Sequence, residues 1–445
     1  MTDYRNDAGA IRALVQDDRV HRDVYLSEAL FQLERERLFL RSWNYVGHES
    51  QVPNPGDYYT TDIAGQPLIM VRHADGTVRV LMNRCAHKGA RLVCQTHGNT
   101  GKFFRCPYHA WSYRTDGTLL GVPLKHQYEN TRMHACETGA GLVAPRVAVH
   151  RGFVFACLSA QGPDFADYFG AVLPVLDNLA DRSPQGELQV TGGCLRSVMR
   201  CNWKMYLENV NDSVHPVSTH ESVSATARSV DEARPDDAPV SMALQQLLPF
   251  GSGYEFFART GARVYPNGHS VLGTNASIHS GYTIPDDYRL AMTQAHGEAR
   301  THEVLGFSPQ NVVFYPLLAL KGSPQTLRVI RPLGVDRTLV ETWGLVPRGA
   351  PQELLRRTLT YNRLTFSPMS VVAHDDLHIF EGIQASLAAQ GNPWVSLHRE
   401  YRDDEQLQPV QDVSGTNELL MRNQFRAWAA LMAAETPQDE CGGEA

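Results

Sequence analysis

No stretch of this chain is long and apolar enough to cross a bilayer: the longest apolar run, Gly152 to Ala160, falls well short of the ~20 residues a spanning helix needs. No basic block is present to attract nucleic acid or an anionic membrane, and the formal charge of −7 points the other way. Cysteine is sparse, 8 in 445 residues, which excludes a disulfide scaffold. The first residues, MTDYRNDAGA, lack a basic region followed by an apolar stretch, so a cytoplasmic location is expected. There is no internal repeat, no low-complexity tract, and no GxGxxG or Walker pattern, so direct nucleotide binding is not indicated. What remains is a composition with 42% hydrophobic and 20% charged residues, that of a globular protein with room for two or three domains.

Periodicity divides the chain. Leu26, Leu30, Leu33, Leu38 and Phe39 predict a helix over 26–43, with Ser27 as its cap. Asp75-Gly76 and Asp116-Gly117 predict hairpin turns, and 150–159 reads as a further strand. Together these make a turn-rich β module over 42–160, followed by a polar joint near 162–167. Beyond it, 311–320, 326–334 and 338–346 read as strands of an antiparallel sheet, and 351–366, 368–390 and 416–435 as helices. Strands followed by helices predict an α+β fold. The expected organisation is an N-terminal helical segment, 1–41, packed on the catalytic part, then the β module 42–160, then a catalytic domain 161–445.

Two pairs of metal-ligating residues lie in the β module: Cys85-x-His87, then 18 intervening residues, then Cys106-x2-His109. A structural zinc takes such a Cys2His2 set. A Rieske [2Fe–2S] cluster takes it too, with two histidines replacing two thiolates on one iron. Each half here supplies one Cys and one His at a tight turn, which suits two loops clamping one cluster. Cys94, Cys136, Cys157, Cys194, Cys201 and Cys441 have no ligand spacing and read as ordinary thiols.

A second constellation spans 201–220. At helical spacing Trp203, Leu207, Val210 and Val214 share one face, and Glu208, Asp212 and His215 the opposite one. Pro216 ends or kinks that helix, and His220 follows from the turn beyond. A third ligand is sought in 368–390. There Met369, Val372, Ile379, Phe380 and Ile383 form an apolar stripe with Asp376 in its middle, while Asp375 lies to one side, toward His378. A carboxylate in an apolar stripe is expensive unless an ion compensates it. Two histidines and one carboxylate make the non-haem Fe(II) arrangement, with open positions for O2.

With these motifs the sequence resembles the large subunit of Rieske-type ring-hydroxylating oxygenases. The family's C-x-H-R-G and C-P-Y-H-G-W appear as CAHKGA and CPYHAW, with Lys88 for Arg and Ala110 for Gly. Its E-N-x-x-D-x-x-H-x4-H appears as Glu208, Asn209, Asp212, His215 and His220. The resemblance implies that Cys85 and Cys106 hold the buried iron of the cluster, that His87 and His109 hold the outer one, and that Trp111 packs over it. It implies that His215, His220 and Asp376 hold a mononuclear Fe(II), in a catalytic domain of helix-grip type. Asp212 would bridge His215 to a Rieske histidine, His109, of a neighbouring subunit. Implied partners are an NADH-dependent reductase, directly or through a ferredoxin, and a small β subunit in an α3 or α3β3 assembly. The implied reaction is hydroxylation of an aromatic ring, expected as cis-dihydroxylation; the alternatives are a Rieske monooxygenase or demethylase, and a zinc-stabilised binding protein without redox chemistry. The stretch around Gly268 and His269 is similar to family members acting on aromatic acids. Asn209, Val210, Ser213 and Val372 are pocket candidates by their place in sequence.

Overall fold

Asp-Gly pairs reverse the chain where their turn chemistry demands it. Gly76 and Gly117 take positive φ (86° and 92°), and Asp75 and Asp116 each accept a bond from the backbone N–H two residues on, at 2.8 Å. The computed structural model describes residues 3–129, 131, 141–404 and 408–434. In it these turns build a β module of three small sheets. One runs Val78–Met82, Gln66–Arg72, Asp57–Ile63, His97–Asn99, and a second Phe103–Arg105, Ser112–Arg114, Leu119–Gly121. The third joins Arg146–His150, Phe153–Cys157 and Asn44–His48. The strand predicted over 150–159 is shorter, because Arg151 and Gly152 turn with φ of 51° and 87°.

The remainder is organised by one eight-stranded antiparallel sheet. Its order is Leu188–Met199, Arg337–Pro347, Thr326–Gly334, Leu318–Lys321, Asn311–Phe314, Ser270–Leu272, Ala262–Val264, Gln411–Val413. The single strand predicted over 311–320 is thus two, reversing at Tyr315-Pro316, where proline offers no N–H to a ladder. Alternation decides what each face packs against. Val312, Phe314, Leu318 and Leu320 face Phe153, Phe155 and Phe169, whereas Val313, Ala319 and Ile330 face Trp203, Leu207 and Trp428 on the helical side. Strands plus covering helices make the α+β architecture expected from the sequence. No helix among the described residues is long and apolar enough to cross a membrane.

The helix predicted over 26–43 is broken into Asp23–Leu26, Glu28–Leu33 and a wider π-helical turn, Glu34–Phe39. Ser27 caps the second piece as expected, accepting from Leu30 N at 3.3 Å. The wide turn delivers Glu34 into the core with no exposed surface. Its Oε1 takes Lys204 Nζ at 2.5 Å and Trp428 Nε1 at 2.7 Å, and its Oε2 takes Trp203 Nε1 at 2.8 Å. One carboxylate therefore binds the N-terminal segment to the helix Trp203–Val210 and to the C-terminal helix Leu419–Met432. Glu34→Ala would leave the Lys204 ammonium buried and unanswered. It should destabilise the chain by about 3–5 kcal/mol, measured as a shift in chemical-denaturation midpoint. An unchanged midpoint would mean that the pair carries no weight.

Candidate functional site

The two loops of the β module close in the same way. Gly89 N donates to Cys85 O and Ala110 N to Cys106 O, both at 3.0 Å; Cys85 N donates to Ala90 O and Cys106 N to Trp111 O, both at 2.8 Å. This matched pair of turns buries both sulfurs, with Cys85 and Cys106 2% and 3% exposed. The imidazoles lie outside them, His87 and His109 ring centroids 4.6 Å apart. Trp111 stacks on His87 at 4.8 Å with planes 5° apart. Tyr113 hydroxyl lies 3.2 Å from Cys85 Sγ and accepts from Ala86 N at 3.1 Å; burial, then the Cys85 sulfur, pushes its pKa up and keeps it a phenol.

These donors fit an iron–sulfur cluster better than one zinc ion. A single tetrahedral ion with Zn–S bonds near ~2.3 Å would draw all four ligand atoms within about 4 Å of one another. Among the described residues no three of these four reach within 4.8 Å, as the three residues of the second site do. Nδ1 of His87 is buried with no hydrogen-bond partner, a polar atom that the protein itself leaves unanswered. Positions 89 and 110 both need a left-handed backbone: Gly89 has φ of 75°, and Ala110 adopts 59° despite its Cβ.

In the second site the helix Trp203–Val210 stops earlier than its amphipathic pattern predicts, with Asn211 as its C-cap. Asp212 ends it. Its Oδ2 accepts from Val214 N at 2.9 Å and His215 N at 2.6 Å, a local turn that competes with the helix. Asp212 and His215 therefore lie in the turn beyond the helix rather than along its polar face. Pro216 opens the short helix Pro216–Thr219, and His220 follows as its C-cap, buried at 1% exposure. The helix Val371–Leu387 brings up Asp376. Ligand atoms of His215, His220 and Asp376 all lie within 4.8 Å of one another, with His220 Nε2 3.4 Å and His215 Nε2 3.9 Å from Asp376 Oδ1. Asn209 Nδ2 donates to Asp376 Oδ1 and to His215 Nε2, both at 3.1 Å.

Each histidine has a carboxylate behind it. Asp212 Oδ2 takes Nδ1 of His215 at 2.9 Å, and Asp375 Oδ2 takes Nδ1 of His220 at 3.3 Å, leaving both Nε2 atoms toward Asp376. Asp375 thus turns to His220 and not to His378. The apolar stripe expected around Asp376 is also different: Met369, Ile379 and Ile383 are 92%, 45% and 39% exposed, and half-buried Asp376 lies between buried Val372 and Phe380 at i, i+4 spacing.

Sequence reasoning missed Arg399, whose Nη2 donates to Asp212 Oδ1 at 2.6 Å. Burial alone would raise the pKa of Asp212; the His215 bonds and the Arg399 charge more than offset it and hold it down to about 2. It also missed most of the pocket beside the triad, which is lined by Phe250, Phe257, Ile278, Lys321, Arg328 and Tyr361 among others. Of the pocket candidates, Asn209 and Val372 line it; Val210 is core, and Ser213 donates to Gly415 O at 2.7 Å. His269 is structural: Nε2 donates to Tyr168 O at 3.0 Å, Nδ1 accepts from Tyr315 N at 2.9 Å, and burial pushes its pKa down to about 4. Cys94, Cys157, Cys194 and Cys201 are free thiols, whereas Cys136 and Cys441 lie outside the described residues.

Two outcomes are expected. Ala110→Gly should stabilise the second loop by about 1 kcal/mol, read as slower bleaching of the visible spectrum on heating; faster bleaching would contradict the strain. Asp376→Ala should abolish tight Fe(II) binding at the triad, while Asp375→Ala should weaken it by roughly 10–100-fold, measured by equilibrium dialysis. Equal losses would remove the distinction between ligand and support.

Comparison with known proteins agrees with this geometry. Residues 42–135 match the Rieske [2Fe-2S] domain, and residues 182–434 match the ring hydroxylating alpha subunit (catalytic domain). The anthranilate 1,2-dioxygenase large subunit of Acinetobacter baylyi is 30% identical over 93% of this chain and 89% of its own. An N,N-dimethyl phenylurea N-demethylase subunit alpha of a Sphingobium is 29% identical over 84% of this chain and 82% of its own. In three dimensions a naphthalene 1,2-dioxygenase from a Rhodococcus bound to indole aligns with TM-score 0.75 at 24% identity, over 94% of this chain and 95% of that one. On both family matches and on an alignment that spans nearly its whole length, the chain belongs to the Rieske-type ring-hydroxylating oxygenase large (alpha) subunits.

Proposed function

We propose that this chain is the catalytic subunit of a terminal oxygenase that cis-dihydroxylates an aromatic ring. Both atoms of O2 join adjacent ring carbons, with two electrons from NADH and two protons completing the balance. The observation that carries the reading is the convergence of His215, His220 and Asp376, with a carboxylate behind each histidine. These three hold the mononuclear iron, and Cys85, His87, Cys106 and His109 hold the [2Fe–2S] cluster. Together the two centres supply single-electron storage and O2 activation. The chain's own residues do the rest. Asp212 and Asp375 fix the histidine tautomers so that Nε2 faces the metal position. Phe250, Phe257, Ile278 and Val372 keep the ring's side of the pocket apolar.

Electrons reach the site from an NADH-dependent reductase, directly or through a ferredoxin. Asp212 bridges His215 to the partner subunit's His109 in a trimer of large subunits, to which a small β subunit adds. What supports the bridge is the bond from His215 Nδ1 to Asp212 Oδ2, beside a groove that Asp212 lines with Met205, Ile379 and Ile383. In Asp212→Ala both metal centres should fill, the cluster should accept electrons from dithionite, and its oxidation by substrate and O2 should slow at least 100-fold in single turnover. Wild-type oxidation rates would sink the bridge. The similarity to a demethylase favours monooxygenation as the second reading. Products formed under 18O2 decide: two labelled atoms support dioxygenation, one supports the alternative.

A further inference from the structure

The sheet wall of the pocket carries two cations. Register sets them side by side. Arg328, on Thr326–Gly334, pairs with Ala319, and Lys321 lies two residues beyond Ala319 on the adjacent strand, hence on the same face. Both line the pocket that holds Asn209, His215, His220 and Asp376. They are nearly sealed from solvent, 3% and 5% exposed.

Neither cation has a carboxylate within ion-pair distance among the described residues. Lys321 Nζ donates to Gln310 O at 3.0 Å. Arg328 Nη2 donates to Asn311 Oδ1 at 2.8 Å, its Nη1 makes a long 3.3 Å contact to the Tyr206 hydroxyl, and its Nε is buried with no partner. Ring faces help: Phe366 lies 4.9 Å from the guanidinium carbon and Tyr361 5.4 Å from the ammonium. These are partial answers to two charges that the chain has removed from water, each at several kcal/mol.

The rest of the molecule shows what a purely structural solution looks like. Lys204 has Glu34, and Arg331 has Glu341 at 2.5 Å. Buried Arg182 has no carboxylate, but it is wrapped by Val304 O, Phe307 O and Asn178 Oδ1. Arg422 is wrapped likewise by Leu397 O, Arg399 O and Asn417 Oδ1. What sets Arg328 apart is a cationic neighbour and a cavity in front of it.

We propose that Arg328 and Lys321 form the carboxylate-binding subsite of the substrate pocket, so that the aromatic substrate is an acid anchored by its carboxylate on the sheet wall. This rests on the oxygenase reading above and names its substrate class. A guanidinium fork matches the two oxygens of a carboxylate, and an ammonium beside it takes one of the remaining lone pairs. Burial first, and then repulsion from Arg328, hold the pKa of Lys321 well below its ordinary value, a strain that an anion between the two relieves. The ring then lies against Phe250, Phe257, Ile278 and Val372, on the way to the triad. The cavity, ≈ 50 Å³, is smaller than the ~150 Å³ that accepts benzene, so this apolar cover must shift as the acid enters. A hydrocarbon of the same shape would leave both cations unanswered.

The test uses the holoenzyme and pairs of probes matched in shape: benzoate with benzamide, anthranilate with its amide, salicylate with its amide. Calorimetric Kd values should favour at least one acid over its amide by 100-fold or more. Arg328→Gln and Lys321→Met should each weaken that acid at least 30-fold while leaving the amide within 3-fold; Arg328→Lys, which keeps charge but loses the fork, should fall between. The visible cluster spectrum reports that each variant has folded, and Lys321→Met, close in shape, stands in if Arg328→Gln does not fold. Acids and amides binding alike, no acid binding at all, or full acid affinity in both variants would overturn the subsite. Ring hydroxylation of neutral aromatics in that case would leave the oxygenase reading standing. Conversely, tight acid binding with no O2-dependent product would support the subsite and sink the oxygenase reading.

Discussion

A metal position built from neutral imidazoles requires each ring to present one chosen nitrogen, and here a carboxylate behind each ring makes the choice. Asp212 and Asp375 hold Nδ1 of His215 and His220, and much of the local architecture follows from letting them do so. The helix Trp203–Val210 gives up its last turn so that Asp212 can fold back on the backbone of His215. Pro216 restarts the chain so that His220 swings in from the other side. Asn209, donating both to Asp376 and to His215, stitches the third ligand to the first.

The rest of the fold keeps that stitch in register. The eight-stranded sheet presents Asn311, Lys321 and Arg328 from one face, and the aromatic cluster under its other face is shared with the strand Phe153–Cys157 of the β module. Glu34 performs a similar office for the helices, since two tryptophan N–H groups and an ammonium from different segments all end on it. A buried carboxylate with three donors is a stringent fit, and it specifies which segments may meet there.

The candidate ligands stood out in the sequence because coordination favours short spacings, Cys85 with His87, Cys106 with His109, His215 with His220, and the structure brings His215 and His220 to Asp376. Turns were legible because Asp-Gly chemistry is local. The reading failed where partners came from afar. Nothing near Asp212 in sequence announces Arg399, and only strand register brings Lys321 beside Arg328, although a charge ending LLALK and another interrupting TLRVI were signals that core strands rarely carry. Asp376 was selected for an apolar stripe that the structure rearranges; what places it is its i, i+4 spacing from buried Val372 and Phe380. The helix 26–43 broke because the wide turn that carries Glu34 has no periodic signature.

The double hold on Asp212 has one more consequence. Its Oδ2 is filled by three N–H groups and its Oδ1 by a guanidinium, and its pKa lies at about 2. Such a carboxylate stays an anion throughout the neutral range, whatever the charge of the imidazole it supports. It is a fixed electrostatic reference and not a proton store, so its hold on the His215 ring does not relax as the pH moves through the neutral range.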